Sequence, residues 1–151
     1  MIRKATVHDV RPIHRLLQDF AVEGKLLPRP LSALYDHLRD YAVYEDPVEG
    51  RLVGCCALQI CWEDMAEVRS LAVEQGHGGQ GIGRLLMDWA LGEASLYGIK
   101  KIFALTYVPD FFRRMGFTEV DKGDLPQKIW ADCLNCVKFP DCDEIAMIRR
   151  V

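Results

Sequence analysis

Five glycines, Gly76, Gly78, Gly79, Gly81 and Gly83, fall within eight residues of one another, and Arg84 follows them. Before them runs Leu71-Ala72-Val73, an apolar run of strand character. After them, Ile82, Leu85, Leu86, Trp89 and Ala90 keep i, i+3, i+4, i+7, i+8 spacing, and Gly98 ends that helix. A strand that passes through a glycine turn straight into a helix can hold phosphate for physical reasons. The first-turn N–H groups have no intrahelical acceptor, and the helix dipole places partial positive charge there. Glycine lets an anion approach the backbone. A turn that merely started a helix would gain nothing from such density, because loop glycines weaken folding unless they serve close backbone contact.

Two other glycine motifs do not fit. A P-loop ends in Gly-Lys-Ser/Thr, whereas Gly83 is followed by Arg84-Leu85. A dinucleotide fingerprint needs Gly-x-Gly-x-x-Gly and an acidic ribose ligand about 20 residues on. Here Gly79, Gly81 and Gly83 are spaced by two, and the stretch around Tyr97 to Lys101 holds no acid.

The remaining chain reads as alternating short strands and helices. Ile2 to Thr6 opens with a strand. Asp9 is placed to cap a helix carrying Val10, Ile13, Leu17 and Phe20, and Ser32 to cap a short second helix through Arg39. Tyr41 to Glu45 and Arg51 to Trp62 form a hairpin about the turn at Pro47 and Gly50. Further strands run from Ala66 to Val73 and from Lys101 to Thr106. A short helix with proline in its first turn spans Pro109 to Met115, and a final hairpin returns through Glu144 to Arg150. The fold class is a mixed α/β domain. With 151 residues the chain is expected to be one domain, residues 1–151. Its net charge of −3 and lack of a basic stripe argue against nucleic acid. No signal peptide and no run of ~20 apolar residues is present, so no membrane is expected and the location is read as cytoplasmic.

The segment Gln80-Gly81-Ile82-Gly83-Arg84-Leu85-Leu86 after Leu71-Ala72-Val73 resembles the acyl-CoA signature of the GNAT superfamily of N-acetyltransferases. Phe111-Phe112-Arg113-Arg114-Met115-Gly116-Phe117 resembles that superfamily's second motif, and the likeness covers nearly the whole chain. It implies a twisted mixed sheet of six to seven strands with about four helices, splayed between the Ala66–Val73 and Lys101–Thr106 strands. It implies acetyl-CoA as co-substrate. The pantetheine arm would pair with the backbone around Leu71, Ala72 and Val73, and the pyrophosphate would lie on the turn of Gly78, Gly79, Gln80, Gly81, Ile82, Gly83 and Arg84. Two departures stand out. Gly78 occupies a place where the superfamily usually has Arg or Gln. Phe112, among the cofactor contacts, stands where many members have a tyrosine general acid, and a phenyl ring has no proton to give. Tyr107 is the candidate in its place, by proximity along the chain.

Attack on a thioester needs a neutral amine, so a group must accept a proton. The resemblance points to Glu67 as that base, beside apolar Met65 and Val68, where burial would raise its pKa; the bland alternative is a strand-end carboxylate paired with Arg69. Arg69 lies two residues from Glu67 and so on the same strand face, where a guanidinium can grip a carboxylate. Ser70, Thr106 and Lys128 complete the expected acceptor contacts.

The segment from Asp124 to Glu144 resembles the tail of the short, stand-alone N-acetylglutamate synthases of bacterial arginine biosynthesis. That likeness implies a small-molecule amino acid, L-glutamate, as acceptor; the sequence leaves the oligomeric state open, with a homodimer among the options. Acetylation of protein amines and a non-catalytic acyl-CoA-binding module are the other readings. Cys55, Cys56 and Cys61 read as small buried hydrophobes. Cys133-x2-Cys136 followed by Cys142 has metal-like spacing, but a structural zinc site takes four ligands. Zinc is therefore not expected. Reduced structural thiols are the favoured reading of these three, with metal or redox chemistry as alternatives.

Overall fold

The computed structural model of the chain describes residues 1–125 and 144–151. A seven-stranded sheet runs through it in the order β1-β2-β3-β4-β5-β7-β6. Strands β1 (Ile2–Lys4), β2 (Tyr41–Glu45), β3 (Leu52–Trp62) and β4 (Met65–Val73) form an antiparallel series. Strand β5 (Lys101–Thr106) pairs parallel with β4. Strand β7 (Ile145–Arg150) then inserts between β5 and β6 (Thr118–Val120), antiparallel to both. The helices are α1 (Val10–Val22), α2 (Leu31–Asp36), α3 (Ile82–Leu96) and α4 (Pro109–Arg114).

Apolar side chains cover both faces of the sheet. On one, Val10, Ile13 and Leu17 of α1 and Leu34 of α2 pack with Val43, Cys55, Ala57 and Ala72. On the other, Ile82, Leu86 and Ala90 of α3 pack with Leu58, Val68, Ile102 and Ala104. The helical spacing in the sequence is what places each row on one side of its helix. Gly54 sets the depth of α3: a Cβ there would meet Leu86 at 3.1 Å and Ile82 at 3.2 Å. Leu86 is fully buried at this contact, so Leu86→Ala would cost about 2–5 kcal/mol.

Two expected caps are replaced. Asp9 precedes α1 with helical backbone (φ −87°, ψ −13°) and makes no side-chain cap. A 3₁₀ turn over Val7–Asp9 comes first, so Thr6 is the extended residue. The Asp9 carboxylate instead accepts from Arg3 at 2.7 and 2.9 Å and from the Thr6 N–H at 2.7 Å, and the Arg3 contact holds its pKa low. Ser32 lies inside α2, not at its start. Pro30, with φ −69° and ψ 154°, is the extended residue there, and the helix stops at Asp36 because His37 leaves helical geometry (φ −109°). Cys55, Cys56 and Cys61 are buried free thiols, and burial pushes the Cys55 thiol up to about 12. Among the described residues no helix is long and apolar enough to cross a membrane.

Candidate active site

The sheet divides in the middle of β4. Met65, Ala66 and Glu67 pair with Lys101, Ile102 and Phe103, and the pairing then stops. Strand β4 continues six residues to Val73 paired with β3, and β5 continues to Thr106 paired with β7. Among the described residues, no strand occupies the facing edges beyond Glu67 and Phe103. The split therefore lies between the two strands where the family resemblance implies it. An open strand edge presents backbone donors and acceptors to any extended molecule that enters.

A bulge decides which side chains of β4 face which way. Cys55 pairs with Ala72 but Ala57 with Arg69, so β4 carries one extra residue. Ser70 takes it up with φ +54°, a left-handed conformation rare outside glycine. Alternation is thereby reset. Val68 faces the α3 side, yet Ala72, an even number of residues on, faces the α1 side, and Leu71 and Val73 turn towards α3. The Ser70 hydroxyl lies 3.0 Å from the Tyr41 hydroxyl, in buried surroundings. Neither the bulge nor Tyr41 was apparent in the sequence, where no glycine or proline marks the place.

Glu67 and Arg69 come before the bulge and share one face, as alternation requires. The Arg69 Nε donates to Glu67 Oε1 at 2.5 Å, and the two side chains are 17% and 8% exposed. The carboxylate is thus buried at the point where the strands part, held by a charge-assisted hydrogen bond. This is the ion pair that the blander reading of Glu67 named, and it makes the two groups one unit. Thr106 ends β5 in a buried position, its Oγ1 accepting from the Val108 N–H at 2.9 Å as the chain turns into α4. Tyr107 follows at once, with its hydroxyl buried. Phe112 is 5% exposed and packs edge-on against Phe111 and Phe117, with ring centroids 5.4 and 5.3 Å apart. It is a core residue of the α3 face.

The glycine turn leads from β4 to α3. Gly76, Gly79 and Gly81 all have positive φ (90°, 82° and 76°), and Gly81 caps α3. Its carbonyl takes the first helical bond from Leu85 at 3.0 Å, so the N–H groups of Ile82, Gly83 and Arg84 precede any intrahelical acceptor. Gly78, Gly79, Gln80 and Gly81 are exposed, whereas Ile82 is buried and anchors the helix start. Gly83 has a separate reason to be glycine. A Cβ there would meet the Phe111 ring at 3.3 Å, so its absence lets α4 close on α3.

The turn is tied to the β2–β3 hairpin by charges that the sequence reading did not single out. The Glu74 carboxylate accepts from Arg51 at 2.7 Å, which lowers its pKa, and the His77 Nε2 lies 3.1 Å from Asp46 Oδ2. The Asp46 pKa is lowered chiefly by the Val48 and Glu49 N–H groups. Asp46, Glu49 and His77 are the one group of side chains among the described residues close enough together to hold a metal ion. Lys128 and the Cys133, Cys136 and Cys142 cluster lie outside the described residues.

Comparison with known proteins supports this assembly of parts. Residues 37–119 match the acetyltransferase (GNAT) domain. An uncharacterized N-acetyltransferase of Chlorobaculum tepidum is 41% identical over 98% of this chain and 94% of its own length. An amino-acid acetyltransferase of Mycobacterium tuberculosis is 37% identical over 80% of this chain and 70% of its own. Among solved structures, the N-acetylglutamate synthase of Neisseria gonorrhoeae, complexed with coenzyme A and N-acetyl-glutamate, superposes with a TM-score of 0.90 at 27% identity. It covers 99% of this chain, which spans 34% of that one. A Mycobacterium tuberculosis protein in complex with CoA superposes with a TM-score of 0.85 at 28% identity, over 100% of this chain and 99% of its own. With its sheet split beside a glycine-capped helix, the chain belongs to the GNAT family and is an acetyl-CoA-dependent N-acetyltransferase.

Proposed function

We propose that the chain transfers the acetyl group of acetyl-CoA to the α-amine of L-glutamate. The observation that carries this reading is the buried Arg69–Glu67 pair at the mouth of the split, a cation and a base within 2.5 Å of one another. Glutamate brings two carboxylates and an amine, and so needs a cationic grip beside a proton acceptor. The relatives named as amino-acid acetyltransferases, and the synthase complexed with N-acetyl-glutamate, support that choice of acceptor.

In this reading the pantetheine arm lies along the open edge of β4 and pairs with the backbone of Leu71, Ala72 and Val73. The pyrophosphate rests on the amides from Gly79 to Arg84, with Gly78 keeping the approach clear. Arg69 binds one substrate carboxylate through its guanidinium. Ser70 and Thr106 line the acceptor side, and Lys128 takes the other carboxylate. Glu67 accepts the ammonium proton, directly or through water, and the freed nitrogen attacks the thioester carbon. A C–N bond forms, the C–S bond breaks, and the CoA thiolate leaves. Phe112 has no proton for it, so Tyr107 or water supplies one and is reprotonated by the second proton that the new amide nitrogen sheds. The chain acts as a single cytoplasmic domain in the first step of arginine biosynthesis.

Steady-state kinetics over glutamate, aspartate, glutamine, lysine and short peptides test the assignment. Glutamate is expected to have the highest kcat/KM. Preference for lysine or a peptide would remove the glutamate reading and leave the acetyl-CoA chemistry in place.

A further inference from the structure

One cluster of ionisable side chains lies outside the proposed reaction site, where the turn between β2 and β3 meets the turn between β4 and α3. Asp46, Glu49 and Arg51 come from the first turn, Glu74 and His77 from the second. The first turn is held by its own backbone: the Asp46 N–H donates to the Arg51 carbonyl at 2.9 Å, and the Gly50 N–H to the Asp46 carbonyl at 2.8 Å. Ligand atoms of Asp46, Glu49 and His77, one from each, lie within 4.8 Å of one another. Each acid keeps an oxygen free of its structural duty. Asp46 Oδ1 accepts from the Val48 and Glu49 N–H groups, which leaves Oδ2 facing His77 Nε2 at 3.1 Å. Glu49 gives Oε2 to Arg51 at 2.6 Å, which leaves Oε1.

Two observations point to a cation here. The first is charge. Three carboxylates, Asp46, Glu49 and Glu74, gather around the single guanidinium of Arg51, so with His77 neutral the cluster keeps two negative charges. The second is the His77 ring. It is only 13% exposed, and its Nδ1 is fully buried with no hydrogen-bond partner among the described residues, 3.9 Å from Glu74 Oε1. While Nε2 carries the proton that meets Asp46, Nδ1 turns a bare lone pair towards a carboxylate, which is unfavourable twice over. An ion on Nε2 reverses this. The ring proton then sits on Nδ1 and points towards Glu74, whose oxygen is about 1 Å beyond ordinary hydrogen-bond reach. A metal-bound histidine with its other N–H facing a carboxylate is the usual outer arrangement of such sites.

We propose that Asp46 Oδ2, a Glu49 carboxylate oxygen and His77 Nε2 bind a divalent first-row transition-metal ion, which clips the β2–β3 hairpin to the glycine turn. One imidazole and two carboxylates make a mixed N/O set, suited to such an ion and unlike the thiolate sets that softer ions select. Metal–ligand distances of about 2.0–2.2 Å put neighbouring ligand atoms roughly 3–3.5 Å apart. Asp46 and His77 already have that separation, and the exposed Glu49 side chain swings in to complete it. Water fills the remaining positions. The ion is a structural clip and has no part in acetyl transfer.

Titration of the chelator-treated full chain with Co²⁺, followed by calorimetry and visible absorption, tests the proposal. Wild-type protein should take up about one ion per chain at a site whose spectrum lacks a thiolate-to-metal band, which separates it from any ion held by cysteines. His77→Ala should abolish that uptake. Asp46→Asn, whose amide oxygen can still cap the turn, should weaken it by about 10-fold or more, and Glu74→Gln, which alters only the group facing Nδ1, by about 10-fold. The ion should raise the melting temperature of wild-type protein and leave that of His77→Ala unchanged. Absence of a thiolate-free site in wild-type protein overturns the proposal and leaves a proton on His77 to balance the cluster. Uptake that is unchanged in folded His77→Ala or Asp46→Asn protein overturns it as well.

Discussion

The two sides of the proposed site are made from different materials. On the cofactor side, backbone does the work: the open edge of β4, the positive-φ turn at Gly76, Gly79 and Gly81, and the N–H groups that open α3. On the acceptor side, side chains do it: Glu67, Arg69, Ser70 and Thr106, all buried or nearly so. A backbone cradle suits a ligand that is the same for every member of a family. A side-chain pocket suits the partner that varies, because one substitution can change its charge without disturbing the fold. The contrast also separates the ways in which each side can fail.

The largest effect is expected from Gly81→Glu, which attacks the backbone side. It sets a carboxylate against the pyrophosphate, and coenzyme A affinity should fall by about 10³-fold, an estimate from two like charges in a poorly screened site. Gly81 has φ +76° but open space around its Cβ position, so strain accompanies the charge while steric clash does not. Gly81→Ala isolates the strain and should cost about 1–2 kcal/mol of stability with a much smaller loss of affinity. Unchanged affinity in a folded Gly81→Glu protein would break the cradle assignment.

Next comes Glu67→Gln on the side-chain side. It keeps the shape and removes the base, so kcat should fall by roughly 10²-fold while acetyl-CoA affinity stays the same. Normal turnover across pH 6 to 9 would mean that water or another group takes the proton.

Arg69→Ala should raise the Michaelis constant for glutamate by about 30-fold, given the ~2–4 kcal/mol that a desolvated charge contact is worth. The 2.5 Å contact to Glu67 adds that kcat must fall too, since the base loses its partner. The constant for acetyl-CoA should barely move. An effect on acetyl-CoA alone would assign Arg69 to the cofactor side.

The smallest effect is expected where the two sides meet. Ser70→Ala leaves the buried Tyr41 hydroxyl without its partner at 3.0 Å and should cost about 1–3 kcal/mol. Tyr41→Phe removes the other half of the bond. In a double-mutant cycle followed by thermal unfolding, the two losses should be strongly non-additive. Full additivity would show that the bulge is held by backbone pairing alone.

The sequence by itself determined the parts made of local pattern. The glycine turn, the helical stripe of α3 and the split between the fourth and fifth strands were all legible. Glycine density, helical period and chain order are one-dimensional signals, and the motif resemblance located the split. The same-face placement of Glu67 and Arg69 followed from strand alternation. Local pattern failed where two signals competed, as at Asp9, where Thr6 and a 3₁₀ turn supplied the cap instead. Other features were decided only by tertiary structure, since each depends on atoms far apart in the chain. The bulge at Ser70 exists because β4 must pair with β3 on one edge, and no residue type announces it. The close seat of α3 depends on Gly54, and the tie of the glycine turn on Asp46 and Arg51. Charges scattered along a chain become a site only when packing gathers them where water can no longer screen them fully.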